Sequence, residues 1–164
     1  MSSIHSTSTN PEMKLRKELW KRGYRYRTND KRLPGTPDIV LPKYRSVIFV
    51  HGCFWHAHRG CKLYVVPKTN TQFWLDKVSR NHERDERVWR DLEAKGWFVI
   101  IIWECQLANK CFDDTVSRVE NELLDNEESY RRNKEERARI REQQALERKL
   151  QKDRYRLHLS DIKR

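Results

Sequence analysis

The amino-acid sequence predicts a small α/β fold, a mixed sheet flanked by helices in an α/β sandwich. Three observations carry that reading. An early helical segment is closed by Gly23, two short apolar runs read as a hairpin, and a long stretch of 3.6-residue period leads into the apolar run of residues 97–103. At 164 residues the chain suits one principal domain, and a chain of that size holds a core without disulfides.

Asn10-Pro11-Glu12 reads as an N-cap, a proline at the first helical position and an acid in the first turn. The helix should run to about Arg22, with Glu12, Leu15 and Leu19 on one face. Residues 25–37 are a polar, turn-rich connection containing Leu33-Pro34-Gly35. Residues 38–41 and 46–50, separated by Pro42-Lys43-Tyr44-Arg45, form a hairpin of two buried strands. Residues 51–69 are irregular and rich in Cys, His and aromatics. Thr69 and Gln72 then suggest a capping box, opening a helix that ends at Gly96. Its inner stripe is Leu75, Val78, His82, Asp85, Val88, Trp89 and Leu92. A carboxylate on that stripe is costly unless it is paired, so Asp85 calls for a partner. Residues 97–103, apolar on both faces, suit a central strand.

The composition changes at about Glu127. Residues 127–164 hold 13 Lys+Arg against 8 Asp+Glu, with sparse apolar residues. They form a solvated charged helix or a disordered arm, dispensable for the core and able to add non-specific DNA affinity. The domain proper is expected over 11–126, behind a flexible Ser/Thr-rich lead of residues 1–10.

Across the chain, 35 Lys+Arg against 24 Asp+Glu give a net charge of +11. A basic chain favours polyanions, nucleic acid first among them, although ribosomal and membrane-surface proteins share the property. No run approaches the roughly 20 apolar residues of a membrane helix, and residues 1–10 lack the core of a secretory signal. A cytoplasmic location follows as the expectation. In that reducing compartment the four cysteines are more readily metal ligands than disulfides.

Two constellations carry chemistry. Cys53-x4-His58-x2-Cys61, with Cys105 after the apolar strand, offers three thiolates and one imidazole, a set suited to tetrahedral structural zinc. Cys105 is preferred to Cys111, which lies beyond a polar turn. The second is Pro37-Asp38 heading one strand, with Val50-His51 ending the next and His56 beyond. Across a tight hairpin the Asp38 carboxylate and the Val50 carbonyl can share a cation, and hard oxygen ligands suit magnesium. His51 and His56 would flank the same phosphate as base, acid or charge stabiliser. Taken singly, Asp38 is as well explained as a turn residue and each histidine as a satisfied surface or core group.

Together these residues resemble one family. Leu33-Pro34-Gly35-Thr36-Pro37-Asp38, then residues 47–56 (VIFVHGCFWH), then Phe73-Trp74-Leu75-Asp76-Lys77 through Asn81-His82-Glu83-Arg84-Asp85, then Ile102-Trp103-Glu104-Cys105 look like the very short patch repair endonucleases. The resemblance spans about residues 11–115. It implies a restriction-endonuclease-like fold with one structural zinc, and a magnesium-dependent nick beside the mismatched thymine of a T:G pair in double-stranded DNA. It also implies roles. Asp38 matches the metal aspartate and Val50 the carbonyl ligand; His51 and His56 match the two active-site histidines. Asp85 matches the acid supporting one of them, and Glu12 the first-helix acid near the metal waters. Phe54, Trp55 and Trp74 match aromatics that wedge into the DNA stack, and Cys53, His58, Cys61 and Cys105 the zinc ligands.

Three features depart from the family pattern. Little charge precedes the first helix, the zinc loop is one residue longer, and the charged tail is additional. A monomer acting on mismatched DNA is expected, with the tail as a candidate contact for a repair protein. The alternative is a nuclease of the same fold used in restriction or phage defence without mismatch preference. A zinc-bearing DNA binder without catalysis is disfavoured, since binding alone needs no Asp38, His51, His56 and Asp85 together.

Overall fold

The computed structural model describes residues 9–162, with backbone alone for 153 and 155–162. Helix α1 is Asn10–Lys21, strand β1 Ile39–Leu41, and strand β2 Ser46–His51. They are followed by helix α2, Thr71–Ala94, strand β3, Phe98–Trp103, and helix α3, Phe112–Ile162. The sheet order is β1-β2-β3. β1 and β2 are antiparallel, with Ile39 opposite Ile48, as the hairpin reading required. β2 and β3 are parallel, with His51 beside Trp103.

Strand alternation divides the apolar residues between two cores. Ile39, Leu41, Ile48, Ile100 and Ile102 face Leu15 and Leu19 of α1 and Val116, Val119 and Leu123 of α3. On the other face Val40, Val47 and Phe49 meet Leu92, Val88 and Trp89 of α2. The result is a small α/β sandwich with a three-stranded mixed sheet.

Several expectations need correction. The residue capping α1 is Thr9, not Asn10, and its hydroxyl donates to the Glu12 carboxylate at 2.9 Å. α2 begins after Asn70 without a capping box; the Thr71 hydroxyl turns back to the Pro67 carbonyl and Gln72 pairs with Asp76. On α2 the inner stripe is buried at Asp85 and Leu92, whereas Leu75 and His82 are exposed. The first half of that helix overhangs the 52–70 loop instead of the sheet. The central strand is β2; β3 lies at the edge, and the two helical layers account for its apolar faces.

The first part of α3 was not foreseen. Its Val116, Val119 and Leu123 are fully buried, and its Asn126 amide donates to the Ser46 hydroxyl at 3.1 Å. The described residues divide into two compact units between Glu127 and Glu128, and α3 runs on as helix in the second to Ile162. The described part of the tail is helix. The flexible lead proposed for residues 1–10 falls mostly outside the described residues.

Gly35 has a specific duty in the turn before β1. Its φ is +70°, and a Cβ there would lie 2.4 Å from Val88 Cγ1. The turn can approach α2 this closely only with glycine, and that approach sets where Asp38 enters the sheet.

Candidate active site and metal centre

The site forms at the end of the sheet where β1 begins and β2 finishes. Asp38 directly precedes β1, and the Val50 N–H donates to its carboxylate at 2.8 Å. Backbone groups of alternate residues on a strand point to the same edge, so Val50, like Ile48, turns its N–H and carbonyl toward β1. Carboxylate and carbonyl are thereby held side by side. Burial, followed by the nearby Glu12 carboxylate, outweighs the Val50 hydrogen bond and pushes Asp38 up to about 6. Hard oxygen donors with a local excess of negative charge fit a divalent cation such as magnesium.

Glu12 approaches from α1, buried at 4 % exposure. Sequence reasoning missed what holds it there. Arg16, one turn on and 5 % exposed, places Nη2 3.2 Å from Glu12 Oε2 and donates to the Asp38 carbonyl at 2.9 Å. One guanidinium thus ties the first-helix acid to the head of β1. The i,i+4 spacing of Glu12 and Arg16 was visible, but it looks the same in an ordinary surface ion pair.

His51, the last residue of β2, is 5 % exposed. Its ring stacks on His56 with centroids 3.7 Å apart, and it lies 5.9 Å from Trp89 and 5.5 Å from Trp103. Burial, then the charge of His56, pushes the His51 imidazole down to about 3. Its Nδ1 is buried without a hydrogen-bond partner among the described residues. His56 Nδ1 lies 2.5 Å from Asp85 Oδ2. Burial alone would raise Asp85, but the hydrogen bond and charge of His56, with Arg84, hold it below the usual carboxylate value. The partner that Asp85 required is therefore His56. These three side chains border a cavity of about 660 Å³ between the 52–70 loop and α2.

The second cluster lies behind the first. Ligand atoms of Cys53, His58, Cys61 and Cys105 all lie within 4.8 Å of one another. His58 Nδ1 is 3.4 Å from Cys53 Sγ and 3.3 Å from Cys105 Sγ, close to the roughly 3.5 Å edge of a tetrahedron built on ordinary zinc bond lengths. Donor type and spacing both fit zinc. Cys111 is exposed and outside the cluster. The His58 ring lies flat on Trp103, centroids 4.2 Å apart. Trp103 therefore meets His58 of this cluster on one side and His51 on another.

Phe54, Trp55 and Trp74 form one partly buried group, with Phe54 5.1 Å from Trp55 and 5.4 Å from Trp74. Lys77 sits over the Trp55 and Trp74 rings, and the Asn81 amide donates to the Trp55 carbonyl at 2.9 Å. Phe73, which the sequence reading did not single out with them, joins this aromatic group edge-on at 5.2 Å from Trp74 and is half exposed.

Comparison with known proteins adds four findings. The family model described as DNA mismatch endonuclease Vsr matches residues 1–63. The chain is 48% identical over 126 residues to a type II nicking enzyme of Neisseria meningitidis, covering 76% of this chain and 89% of that protein. It is 46% identical over 110 residues to the DNA mismatch endonuclease Vsr of Escherichia coli K12, covering 67% of this chain and 70% of that protein. A type II nicking enzyme of Xanthomonas oryzae is 46% identical over 109 residues, 66% of this chain and 79% of its own length.

Proposed function

The chain belongs to the Vsr family and is a DNA endonuclease, and from that footing we propose that it nicks duplex DNA at T:G mismatches by magnesium-dependent hydrolysis, on a restriction-endonuclease-like fold braced by structural zinc. The observation that carries the chemistry is the junction of the Asp38–Val50 pair with the His51–His56–Asp85 cluster at one end of the sheet.

Asp38 and the Val50 carbonyl would hold magnesium, with Glu12 orienting its waters. When bound, the ion polarises the scissile phosphate and a water. The Asp85 carboxylate accepts a hydrogen bond from His56 Nδ1–H, which leaves His56 Nε2 free to move a proton at the phosphate. Burial keeps His51 neutral at working pH, and its ring, stacked on His56, orients the imidazole that moves the proton. Phe54, Trp55 and Trp74 supply stacking surface for insertion beside the target pair. Unstacking costs least where pairing is already poor, so a wedge of this kind favours mismatched DNA. Cys53, His58, Cys61 and Cys105 would hold zinc, which would fix the loop carrying Phe54, Trp55 and His56 against Trp74 of α2.

The names of two relatives favour a second reading. The Neisseria and Xanthomonas proteins are called type II nicking enzymes, which fits a nicking activity tied to restriction. Paired duplexes differing only in T:G against C:G decide between them. The first reading expects nicking confined to the thymine strand of the mismatched duplex, whereas equal cutting of both supports the second. Asp38→Ala should abolish nicking while DNA affinity persists; full activity in that variant would remove Asp38 from the centre.

A further inference from the structure

The second compact unit carries an ordered division of charge that total composition hides. From Glu128 to Lys152 the chain is one exposed helix. At about 100° per residue, Arg131, Lys134, Arg137, Arg141, Arg148 and Lys152 fall within an arc of roughly 120°, with Lys149 at its edge. No carboxylate shares that arc. Glu128, Glu135, Glu136, Glu142 and Glu147 all lie on the remaining surface. Arg132, outside the arc, pairs with Glu128 at 3.6 Å. None of the arc's cations enters an ion pair among the described residues.

A helix merely kept in solution alternates signs at i,i+4, because like charges at that spacing repel. Here Lys134 with Arg137, Arg137 with Arg141, and Arg148 with Lys152 are like-charge neighbours, so the arrangement disfavours the isolated helix. It becomes favourable against a polyanion. The opposite face mixes acids with the exposed Ile140, Leu146 and Leu150. It lacks the continuous apolar surface by which an amphipathic helix enters a lipid interface.

We propose that this face is a phosphate-tracking surface that binds the DNA backbone without regard to sequence or mismatch. From Arg131 to Lys152 the cations extend roughly 32 Å, close to the ~34 Å of one duplex turn. The inference requires DNA as the ligand, which family membership supplies, and is independent of T:G specificity.

The test compares two full-length variants of equal net charge. Arg137→Gln, Arg141→Gln and Arg148→Gln empty the face; Arg132→Gln, Arg139→Gln and Arg154→Gln remove three cations from elsewhere on the helix. Circular dichroism checks that both remain helical. Binding to a fully matched duplex is measured across salt concentration, where each lost phosphate contact lowers the log–log slope by about 0.9. The face variant should lose about 2–3 in slope and the control less than about 1. Equal losses would mean that total charge alone matters, and the proposal fails. An unchanged slope in the face variant would also overturn it, pointing to an acidic protein as the occupant. Nicking of a mismatched duplex at saturating enzyme, followed in parallel, should match the parent in both variants. Absence of nicking in the parent would count against the proposed reaction and leave the binding comparison intact.

Discussion

Because burial and the neighbouring His56 hold His51 down at about 3 against an ordinary value of 6.5, the unfolded chain binds protons at this residue that the folded chain refuses. Stability from His51 is therefore present above pH 6.5 and is lost as pH falls toward 3. His51→Gln should flatten the pH dependence of the urea midpoint across that interval, and parallel curves for variant and parent would exonerate His51. Asp38 has the opposite sign. Its folded value is raised to about 6 from 3.8, so its contribution is full below 3.8 and disappears as pH rises through 6. In magnesium-free buffer Asp38→Asn should melt above the parent at pH 7–8 and match it near pH 3.5, while losing nicking. Arg16 acts by charge balance. Its pair with Glu12 is 6% and 5% exposed, and deleting one partner of a buried pair costs about 3–5 kcal/mol. Arg16→Met should show a loss of that size in urea denaturation; a loss under about 1 kcal/mol would show that Glu12 needs no such partner.

At the scale of elements, the 52–70 loop has no regular structure to hold Phe54, Trp55 and His56 in place, so the cysteine–histidine cluster is the brace on offer. About one zinc per chain should copurify, and Cys53→Ser or Cys105→Ser should lose both zinc and thermal stability, since structural zinc contributes folding free energy directly. Cys111→Ser should be nearly silent. Zinc-free protein that is folded and active would remove the brace. The hairpin and α1 were legible because their apolar spacing has few other solutions. β3 was misplaced because an apolar run covered by helices on both faces reads alike at the centre and at the edge of a sheet. The early part of α3 went unread because Val116, Val119 and Leu123 are diluted among charged and polar residues. Pairing of Asp85 was anticipated from its position on an apolar stripe; the clamp by Arg16 was not, since burial of an i,i+4 pair depends on elements distant in sequence.

For the whole molecule, among the described side chains those that α3 gives to the apolar core all precede Glu128. Ending the chain after Glu127 should therefore change stability by less than about 0.5 kcal/mol. Chemical denaturation measures this, with light scattering to follow oligomeric state. A larger loss, or a shift in mass beyond the deleted segment, would show that the second unit docks on the body or on another copy.

The parallel pairing of β2 with β3 also dictates when during synthesis the chain can become an enzyme. The β1–β2 hairpin closes within residues 39–51, but His51 acquires Trp103 beside it only when β3 arrives from far along the chain. Such long-range closures are slow steps of folding. A ribosome-bound chain can present Asp38 and Val50 well before it owns a complete site, so a prematurely terminated product would carry the Asp38–Val50 hairpin without the strand that sets Trp103 beside His51.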